Sequence, residues 1–450
     1  MRIITSAEFD GYWNSGENPA RAGGMFSFGP VESAVNEILA AVFADGDNAL
    51  RRYAAQFDRS SPEKLEVPGE AARAAWEKLG AENAGLCAAI ELAASRIRDF
   101  SVLQRKQFFD FESETADGLV AGQRIIPVTR AAVYVPAGRF PLFSSVLMGL
   151  IPAFTAGVEE TVFASPPMED GLPDYRILAA SHAAARLCGK ERLRIFAMGG
   201  AQAIAALAFG TQSVPKVDVI VGPGNKYVAA AKRLLFGEVG IDFIAGPTDV
   251  LVIADGSAGK SGAYTAAELA ASDMLAQAEH DPDAGPRALV NSGELAAALE
   301  AALEKQLRAL PEESQKTARA SLEKSGVIIV YGTREEAVRA ANIIAPEHLE
   351  LQVSGADAWA PFLKNYGSLF IGGEAAEVLG DYSAGINHTL PTSGSARFSG
   401  GLSVRHFLKT VTTLRSSGVP AAALGAAEML GRAEGLSGHA ESAALRLRKS

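Results

Sequence analysis

The histidines of this chain are concentrated in its carboxyl-terminal part, next to carboxylate and amide side chains. Five of the six lie between residues 280 and 439. Asp273, Gln277 and His280 are spaced i, i+4 and i+7, which would place them on one face of a predicted helix. Such a face could point oxygen and imidazole into a common site, or it could be an ordinary polar helix face. The spacing leaves both interpretations open.

Glu347 and His348 form an adjacent acid and imidazole pair after Pro346, at the end of another predicted helix. The pair could serve as a general acid and base. It could equally be a solvated pair at a helix end.

Further candidate side chains lie in glycine-containing segments near the carboxyl terminus. Asp381 and His388 fall in a predicted loop, and Glu434 is separated from His439 by two glycines, which predicts a shaped loop there. Gln277, His280, Asp381 and His439 together would supply nitrogen and oxygen ligands that suit zinc or manganese and leave positions open for substrate. Nothing in the sequence by itself brings these four residues together.

Two glycine-rich turns follow predicted strands. Gly222-Pro223-Gly224-Asn225 comes after the strand predicted at 217–221, and Gly199-Gly200, with Gln202, comes after the strand at 193–197. Glycine would let the backbone approach a phosphate or ribose, and the Asn side chain could hydrogen-bond to it. The alternative is a pair of tight turns, since no GxGxxG motif occurs.

A third glycine segment resembles a P-loop. Gly259-Lys260-Ser261 follows the strand predicted at 250–254, but Ala254 occupies the position of the first glycine, and no downstream strand ends in a convincing magnesium-binding Asp. A nucleotide-binding or switch protein of this type remains an alternative from a different functional class.

Two series of alternating strands and helices surround these motifs and predict an α/β fold with two Rossmann-like open sheets, plus small helical N-terminal and C-terminal segments. Ligands in open sheets bind at the carboxyl ends of strands, so a cleft between the two halves is the expected site. The first series has strands at 131–135, 161–164, 193–197 and 217–221, with helices near 142–154, 176–188 and 201–208. The second has strands at 250–254, 288–290, 327–331 and 369–371, with helices near 266–279, 294–310 and 335–344.

We divide the chain into four parts. Residues 1–125 form a helical arm and part of the first α/β domain, and 126–245 form a nucleotide-binding α/β domain. Residues 246–378 form a second α/β domain with the metal and acid–base residues. Residues 379–450 form a loop and a helical tail, and the family resemblance given below implies that this part is exchanged with a dimer partner.

Composition excludes several classes of protein. The chain has 450 residues, 48% of them hydrophobic, and a net charge of −10, so its long-range field repels nucleic acid. Its two cysteines provide no disulfide framework, and the first residues lack the apolar core of a signal peptide. The uncharged stretch 140–158 is interrupted by serines and a proline, so we predict a buried helix rather than a membrane span. We therefore expect a cytoplasmic protein with no membrane association.

The motifs together resemble those of the histidinol dehydrogenase family, over nearly the whole chain from about residue 45 to 444. They are GGAQAIAALA at 199–208, GPGN at 222–225, AQAEH at 276–280, APEHLE at 345–350, GDY at 380–382 with NHTLPT at 387–392, and EGL at 434–436 with His439.

The resemblance implies a zinc-dependent and NAD-dependent homodimer with a shared active site. Such an enzyme takes an amino alcohol through its aldehyde to the carboxylate in two hydride transfers. Glu347 and His348 would carry the acid–base work. The implied zinc ligands are Gln277, His280, Asp381 and the His439 that reaches in from the partner subunit. The implied nucleotide contacts are Tyr134, Gln202 and Asn225. The implied substrate contacts are Thr248, Gln277, His280, His348, Asp381, Glu434 and His439.

Some positions depart from the family pattern. Arg139 replaces a residue that is commonly small, Thr248-Asp249 replaces Ser-Glu, and residues 256–262 resemble an insertion. Relatives in the family oxidise other diols, including sulfonated propanediols, and an Arg near the site would favour an anionic substrate. The carboxylate of Glu434 instead favours a substrate with an ammonium group, such as an amino alcohol. A catalytically silent binding protein of the same fold is a further alternative.

Overall fold

Two open parallel β-sheets form the body of the protein, in a computed structural model. The structure describes the chain except for residues 16–17, 19–28, 117, 138–140, 191–192, 258–263, 417, 419–420 and 449–450. The α/β fold expected from the sequence is confirmed.

The strands are β1 Arg2–Thr5, β2 Phe111–Ala116, β3 Leu119–Pro127, β4 Arg130–Tyr134, β5 Glu160–Ser165, β6 Arg194–Ala197, β7 Val219–Val221, β8 Gly240–Ile241, β9 Asp249–Ala254, β10 Gly285–Val290, β11 Val327–Val330, β12 His348–Gln352, β13 Ser368–Ile371 and β14 Leu408–Ser416. The helices are α1 Ser6–Asn14, α2 Gly29–Asp45, α3 Asp47–Phe57, α4 Ala71–Glu82, α5 Ala84–Arg105, α6 Phe143–Ala156, α7 Tyr175–Leu187, α8 Gly200–Phe209, α9 Lys226–Leu235, α10 Ala266–Ala278, α11 Gly293–Leu307, α12 Glu312–Ser325, α13 Arg334–Ile344, α14 Glu377–Tyr382, α15 Ala421–Ala433 and α16 Ser437–Leu447.

The first sheet has five parallel strands in the order β6-β5-β4-β7-β8. The chain winds outward from β4 through β5 to β6, then returns to place β7 on the other side of β4. The winding direction therefore reverses between β4 and β7, which is where open α/β sheets form a ligand crevice.

The second sheet repeats this winding. Its six parallel strands have the order β1-β11-β10-β9-β12-β13, so β9 to β13 follow the same path as β4 to β8. Strand β1, which the sequence pattern did not predict, adds an outer edge by pairing with β11.

Apolar side chains cover both faces of each sheet, as expected for parallel strands buried between helices. Helices α4 to α7 pack on one face of the first sheet, and α2, α3, α8 and α9 pack on the other. The amino-terminal helices α2 to α5 therefore complete the core of the first sheet, whereas β1 and α1 pack on the second sheet.

A short connection joins the two sheets. Strand β8 ends at Ile241 and β9 begins at Asp249, so the two ends can be at most about 27 Å apart. The backbone N–H of Gly246 in this connection donates to Oγ1 of Thr392 at 2.6 Å. The carboxyl edge of the first sheet therefore lies near the amino edge of the second.

Helix α6 accounts for the uncharged stretch at 140–158. All but a few of its residues are buried against the first sheet, despite Pro152 within it, and this confirms the predicted buried helix. Among the described residues, no helix combines the length and apolar character needed to cross a bilayer.

The sequence pattern did not predict the small antiparallel sheet in which β14 pairs with β3 and β3 pairs with β2. After β14 the chain ends in helices α15 and α16, which pack against each other as an antiparallel pair. Several large apolar side chains of this pair are exposed, including Met429, Leu430 and Leu445.

Candidate active site

The predicted acid–base residues lie at the amino edge of the second sheet. Thr248 precedes β9, Glu347 precedes β12, and His348 is the first residue of β12, paired with Val250 of β9. The winding direction of the second sheet reverses between β9 and β12. The site therefore lies at the topological switch point of that sheet. It is nevertheless at the opposite end of the strands from the carboxyl edge expected for this sheet. Glu347 and His348 follow the end of α13 as predicted, but the alternative of a solvated pair is wrong, because both side chains are buried at the start of β12.

Glu347 is held by the segment that begins β9. Its carboxylate accepts from the hydroxyl of Thr248 and, at 3.1 Å, from the backbone N–H of Asp249. In return, the N–H of Glu347 donates to Oδ1 of Asp249 at 2.6 Å, and Arg287 donates to Oδ2 of the same carboxylate at 2.6 Å. Burial raises the pKa of Glu347 to about 7, although nearby His348 and Thr248 act in the opposite direction. Glu347 can therefore exchange a proton near neutral pH.

His348 lies between carboxylates on both sides of its ring. Its Nδ1 is 3.3 Å from the carbonyl oxygen of Asp249, 3.9 Å from Oε2 of Glu377 and 4.0 Å from Oε2 of Glu347. Burial works to lower the pKa of His348, but Glu347, Glu377 and Asp381 outweigh it and raise the pKa well above its ordinary value. Its Nε2 is 3.5 Å from Oδ1 of Asp381 and has no hydrogen-bond partner among the described residues.

Asp381 lies beside this imidazole, Gln277 contacts residues that flank it, and His280 follows Gln277 in the chain. Gln277 is buried in the last turn of α10, its amide in contact with the hydroxyl of Thr248 and 2.8 Å from Oε1 of Glu377. Burial acts to raise the pKa of Asp381, but His348 and, more weakly, His280 hold it below its ordinary value. His280, which lies just beyond α10, is therefore close enough to Asp381 to affect its charge.

Asp273 shares the predicted helix face but serves a different contact. Its carboxylate accepts from Nε2 of Gln352 at 2.7 Å. Asp273 lies one turn of α10 before Gln277, on the side away from His348. The shared face therefore supplies both a residue of the site and a supporting polar contact behind it.

Glu434 and His439 are not brought to this site within one chain, and both are exposed in the carboxyl-terminal helix pair. The predicted loop between them is confined to the turn at Gly435, where φ is +76°, because Gly438 and His439 belong to α16. Within the described residues of one chain, no three His, Cys, Asp or Glu side chains are grouped as a metal site.

Three buried polar residues around the site were missed from the sequence: Glu350, Gln352 and Glu377. Glu350 and Gln352 alternate with the predicted His348 along β12 and face α10, while Leu349 and Leu351 face the opposite core. Glu350 accepts from the N–H of Glu377 at 2.7 Å. The period-two pattern HLELQ could have revealed Glu350 and Gln352 if the strand had been recognised, and Glu377 lies one helical turn before Asp381.

The expected nucleotide contacts lie at the carboxyl edge of the first sheet. Tyr134 is the last residue of β4, and its hydroxyl accepts from the N–H of Gly200 at 3.1 Å. Burial raises the pKa of Tyr134 to about 12, so the phenol stays protonated. Gln202, buried in the first turn of α8, donates to Oδ2 of Asp58 at 3.5 Å.

Asn225 forms the amino-terminal cap of α9, because its Oδ1 accepts from the N–H groups of Tyr227 and Val228. The turn before it begins at Gly222, where φ is +114° and a Cβ atom would lie 2.1 Å from the carbonyl oxygen of Tyr134. Only glycine fits this close approach of two strand ends.

A buried ion pair holds the same turn. Lys232 of α9 donates to the carbonyl oxygen of Gly222 at 3.0 Å and to the carboxylate of Asp242. Asp242 accepts from the N–H of Gly222 at 2.8 Å. Both side chains are almost fully buried, so the pair fixes the backbone that carries Asn225.

Two sequence expectations concern residues outside the described part of the chain: Arg139 and the Gly259-Lys260-Ser261 segment. The helix that follows β9 begins at Ala266 and is capped by Thr265. A P-loop requires the helix to open at the Gly-Lys-Ser segment itself, so the position of α10 gives that interpretation no support.

The family model for histidinol dehydrogenase matches residues 25–447. The chain belongs to the histidinol dehydrogenase family. It is 46% identical over 422 residues to histidinol dehydrogenase of Thermus thermophilus, a match that covers 93% of this chain and 96% of the relative. It is 44% identical over 415 residues to the Prochlorococcus marinus enzyme, covering 92% and 89% respectively.

The fold agrees with a solved histidinol dehydrogenase. The crystal structure of the enzyme from Elizabethkingia anophelis matches with a TM-score of 0.87 and 31% identity, and the match covers 100% of this chain and 98% of that one. Membership of the histidinol dehydrogenase family identifies the chain as an NAD-dependent oxidoreductase. The resemblance inferred from the motifs is confirmed.

Proposed function

We propose that the protein oxidises L-histidinol to L-histidine through L-histidinal, and that two NAD molecules accept the two hydrides. The observation that carries this proposal is the buried pair Glu347 and His348, whose ring nitrogen Nε2 is unpartnered beside Asp381. The curated relatives named above support the same substrate.

The residues around His348 fit a zinc ion. Gln277, His280 and Asp381 offer the oxygen and nitrogen donors that zinc accepts, and His439 of a second chain would complete a set of four. A zinc ion bound there would act as a Lewis acid on the substrate oxygen.

His348 has the geometry of the base for the alcohol. The neutral ring would accept the proton of the substrate hydroxyl at Nε2, and the raised pKa of His348 makes that neutral ring a stronger base. The positive charge that results on the ring would be stabilised by Glu347 and Glu377 on the Nδ1 side, at 4.0 and 3.9 Å. The carbonyl oxygen of Asp249 near Nδ1 keeps the ring oriented. NAD supplies the nicotinamide that accepts the hydride.

Glu347 would activate the water needed for the second oxidation, because an aldehyde must be hydrated before it can lose hydride. A raised pKa of about 7 makes its carboxylate a stronger base than an ordinary glutamate. The Thr248 hydroxyl and the Asp249 N–H orient it.

The charge of the site favours an amino alcohol over an anionic diol. Asp381, whose pKa is held below its ordinary value, lies 3.5 Å from the imidazole, and Glu347 and Glu377 lie within 4.0 Å of Nδ1. An ionised carboxylate at this place would repel a sulfonate and attract an ammonium group. The second candidate is a paralogue specific for another polar alcohol, because Arg139 and Thr248 depart from the family pattern.

We further propose a homodimer with shared active sites. The helices α15 and α16 pack mainly on each other within one chain and expose Met429, Leu430 and Leu445, and an apolar surface of this kind favours a second chain. Glu434 and His439 on this pair would then reach the partner's Gln277 and Asp381.

The first test is the number of NADH molecules formed per L-histidinol consumed by zinc-loaded protein. We expect a ratio of about two, because each substrate molecule loses two hydrides in succession as the alcohol becomes the carboxylate. Treatment with a chelator should abolish turnover, and added zinc should restore it. A ratio near one, or turnover of a sulfonated diol in place of histidinol, would contradict the proposed substrate or the double oxidation.

The second test asks whether one site uses residues from two chains. Protomers carrying His348→Asn or His439→Asn should each be nearly inactive as homodimers. Random exchange of equal amounts should restore about a quarter of the wild-type activity, because half the dimers are hybrids and each hybrid has one intact site. Mixing His348→Asn with Glu347→Gln protomers is the matched control, because both changes affect the same site and no intact site forms. Restored activity in the control, or none in the first mixture, would argue against a shared site.

A further inference from the structure

We propose that Asp58 binds the ribose hydroxyls in the adenosine half of NAD and discriminates against the 2′-phosphate of NADP. This inference rests on the NAD use in the proposed function, and it adds a specificity-determining residue to it. Asp58 belongs to none of the motifs singled out in the sequence.

The amino-terminal helices bring Asp58 to the carboxyl edge of the first sheet. It directly follows α3, and its carboxylate lies against the backbone of Gly199, which keeps the pKa of Asp58 below the value that burial alone would give. A Cβ atom on Gly199 would lie 2.9 Å from Oδ1 of Asp58 and 2.6 Å from Cγ of Pro166, the residue after β5. Asp58 therefore lies over the glycine turn between the ends of β5 and β6.

This is the side of the sheet where an adenosine ribose binds in an open α/β fold. With the strand order β6-β5-β4-β7-β8, a dinucleotide crosses the ends of β4 and β7, and its adenosine extends toward β5. An acidic residue at that place accepts the ribose 2′-hydroxyl in NAD-binding folds. Asn225, after β7, lies on the opposite side of the crossing point.

The Asp58 carboxylate has hydrogen-bond acceptor positions that remain available for a ligand. It is half-buried, and among the described residues no Lys, Arg or His forms an ion pair with it. Its side-chain partner, Nε2 of Gln202, is at 3.5 Å, the outer limit of a hydrogen bond. A carboxylate has about four acceptor sites, so two vicinal hydroxyls could donate to it without displacing Gly199. Burial raises its pKa to about 6, so it is ionised at neutral pH.

A carboxylate in this position would exclude the 2′-phosphate for two reasons. It could no longer accept a hydrogen bond from the oxygen that carries the phosphate, and its charge would repel a group that carries about −1.5 to −2 at neutral pH. Among the described residues no Lys, Arg or His forms an ion pair with Asp58 that would offset this repulsion, and its side-chain partner is the neutral Gln202.

The test is the binding of NAD and of NADP, measured by calorimetry without substrate, to wild type and Asp58→Asn. We expect wild type to prefer NAD and the variant to reduce the NAD-to-NADP affinity ratio by at least about tenfold. In turnover, KM for NAD should rise while kcat stays within about twofold. Glu63→Gln, which removes an exposed carboxylate from the same connecting segment, is the matched control and should leave the ratio unchanged. Asp58→Ser provides a second variant with more space for the phosphate.

Equal loss of affinity for NAD and NADP would overturn the proposal, because it would show that Asp58 only supports the Gly199 turn. An unchanged ratio in both Asp58 variants would overturn it as well. Failure of the proposed function gives a different result, in which wild-type protein binds neither dinucleotide or binds NAD without oxidising histidinol.

Discussion

Replacing His348 with asparagine is expected to lower kcat for histidinol oxidation by about 10²–10⁴-fold, the usual contribution of a positioned general base. Asparagine retains polarity and removes the basic nitrogen Nε2, which lies unpartnered 3.5 Å from Asp381. The affinity for NAD, measured by calorimetry, should stay within about twofold, because the nucleotide contacts lie on the other sheet.

His182→Asn is the matched control for this variant. His182 lies on α7 next to the ring of Trp76, away from the second sheet, so its loss should leave kcat within about twofold. If His348→Asn kept most of the wild-type kcat with a normal thermal midpoint, His348 would not be the base.

Replacing Lys232 with methionine is expected to lower the free energy of unfolding by about 3–5 kcal/mol. The side chains of Lys232 and Asp242 are 2% and 0% exposed, so the substitution leaves a buried carboxylate without its cation. The same change removes the bond to the Gly222 carbonyl and loosens the turn that carries Asn225. Urea unfolding at a fixed protein concentration measures the loss.

Two comparisons separate the buried charge from lost packing. The double variant Lys232→Met with Asp242→Asn should regain part of the stability, since the uncompensated charge is gone. Lys216→Met removes a cation from the exposed pair with Glu238 and should cost less than about 1 kcal/mol. A Lys232→Met effect as small as that of Lys216→Met would mean that the buried pair contributes little.

The fold was predictable where the hydrophobic pattern is simple. Strands β4 and β9 are apolar runs that follow a charged first residue, and the observed starts of α10 and α13 carry capping boxes at Thr265 and Thr333. The pattern did not predict β1, β2, β3 or β14, because none of them is a continuous apolar run buried on both faces: three of the four residues of β1 and all of β2 are exposed, and most of β3 and β14 is half-buried or exposed. It also missed β12, because three of its five residues are polar and face the buried site.

The site was predictable by residue type but not by position. Glu347 and His348 were identified as a pair, yet their location at the amino edge of the second sheet could not be deduced without recognising β12. Glu377 and Asp249 escaped notice because each acts through a tertiary contact, with Gln277 and Arg287 respectively. Asp58 comes from the helical segment that precedes the first sheet, so no local pattern relates it to Gln202.

Strand β1 has a consequence for the order of events during synthesis. It pairs with β11, and Arg2 is aligned with Val327. More than 300 residues must therefore leave the ribosome before the strand meets its partner, which takes roughly 15–60 s at about 5–20 residues per second. Ile4 is the one buried residue of β1, and its other three side chains are exposed. With so little apolar surface the waiting strand is a poor template for self-association, and the second sheet can acquire its outer edge last.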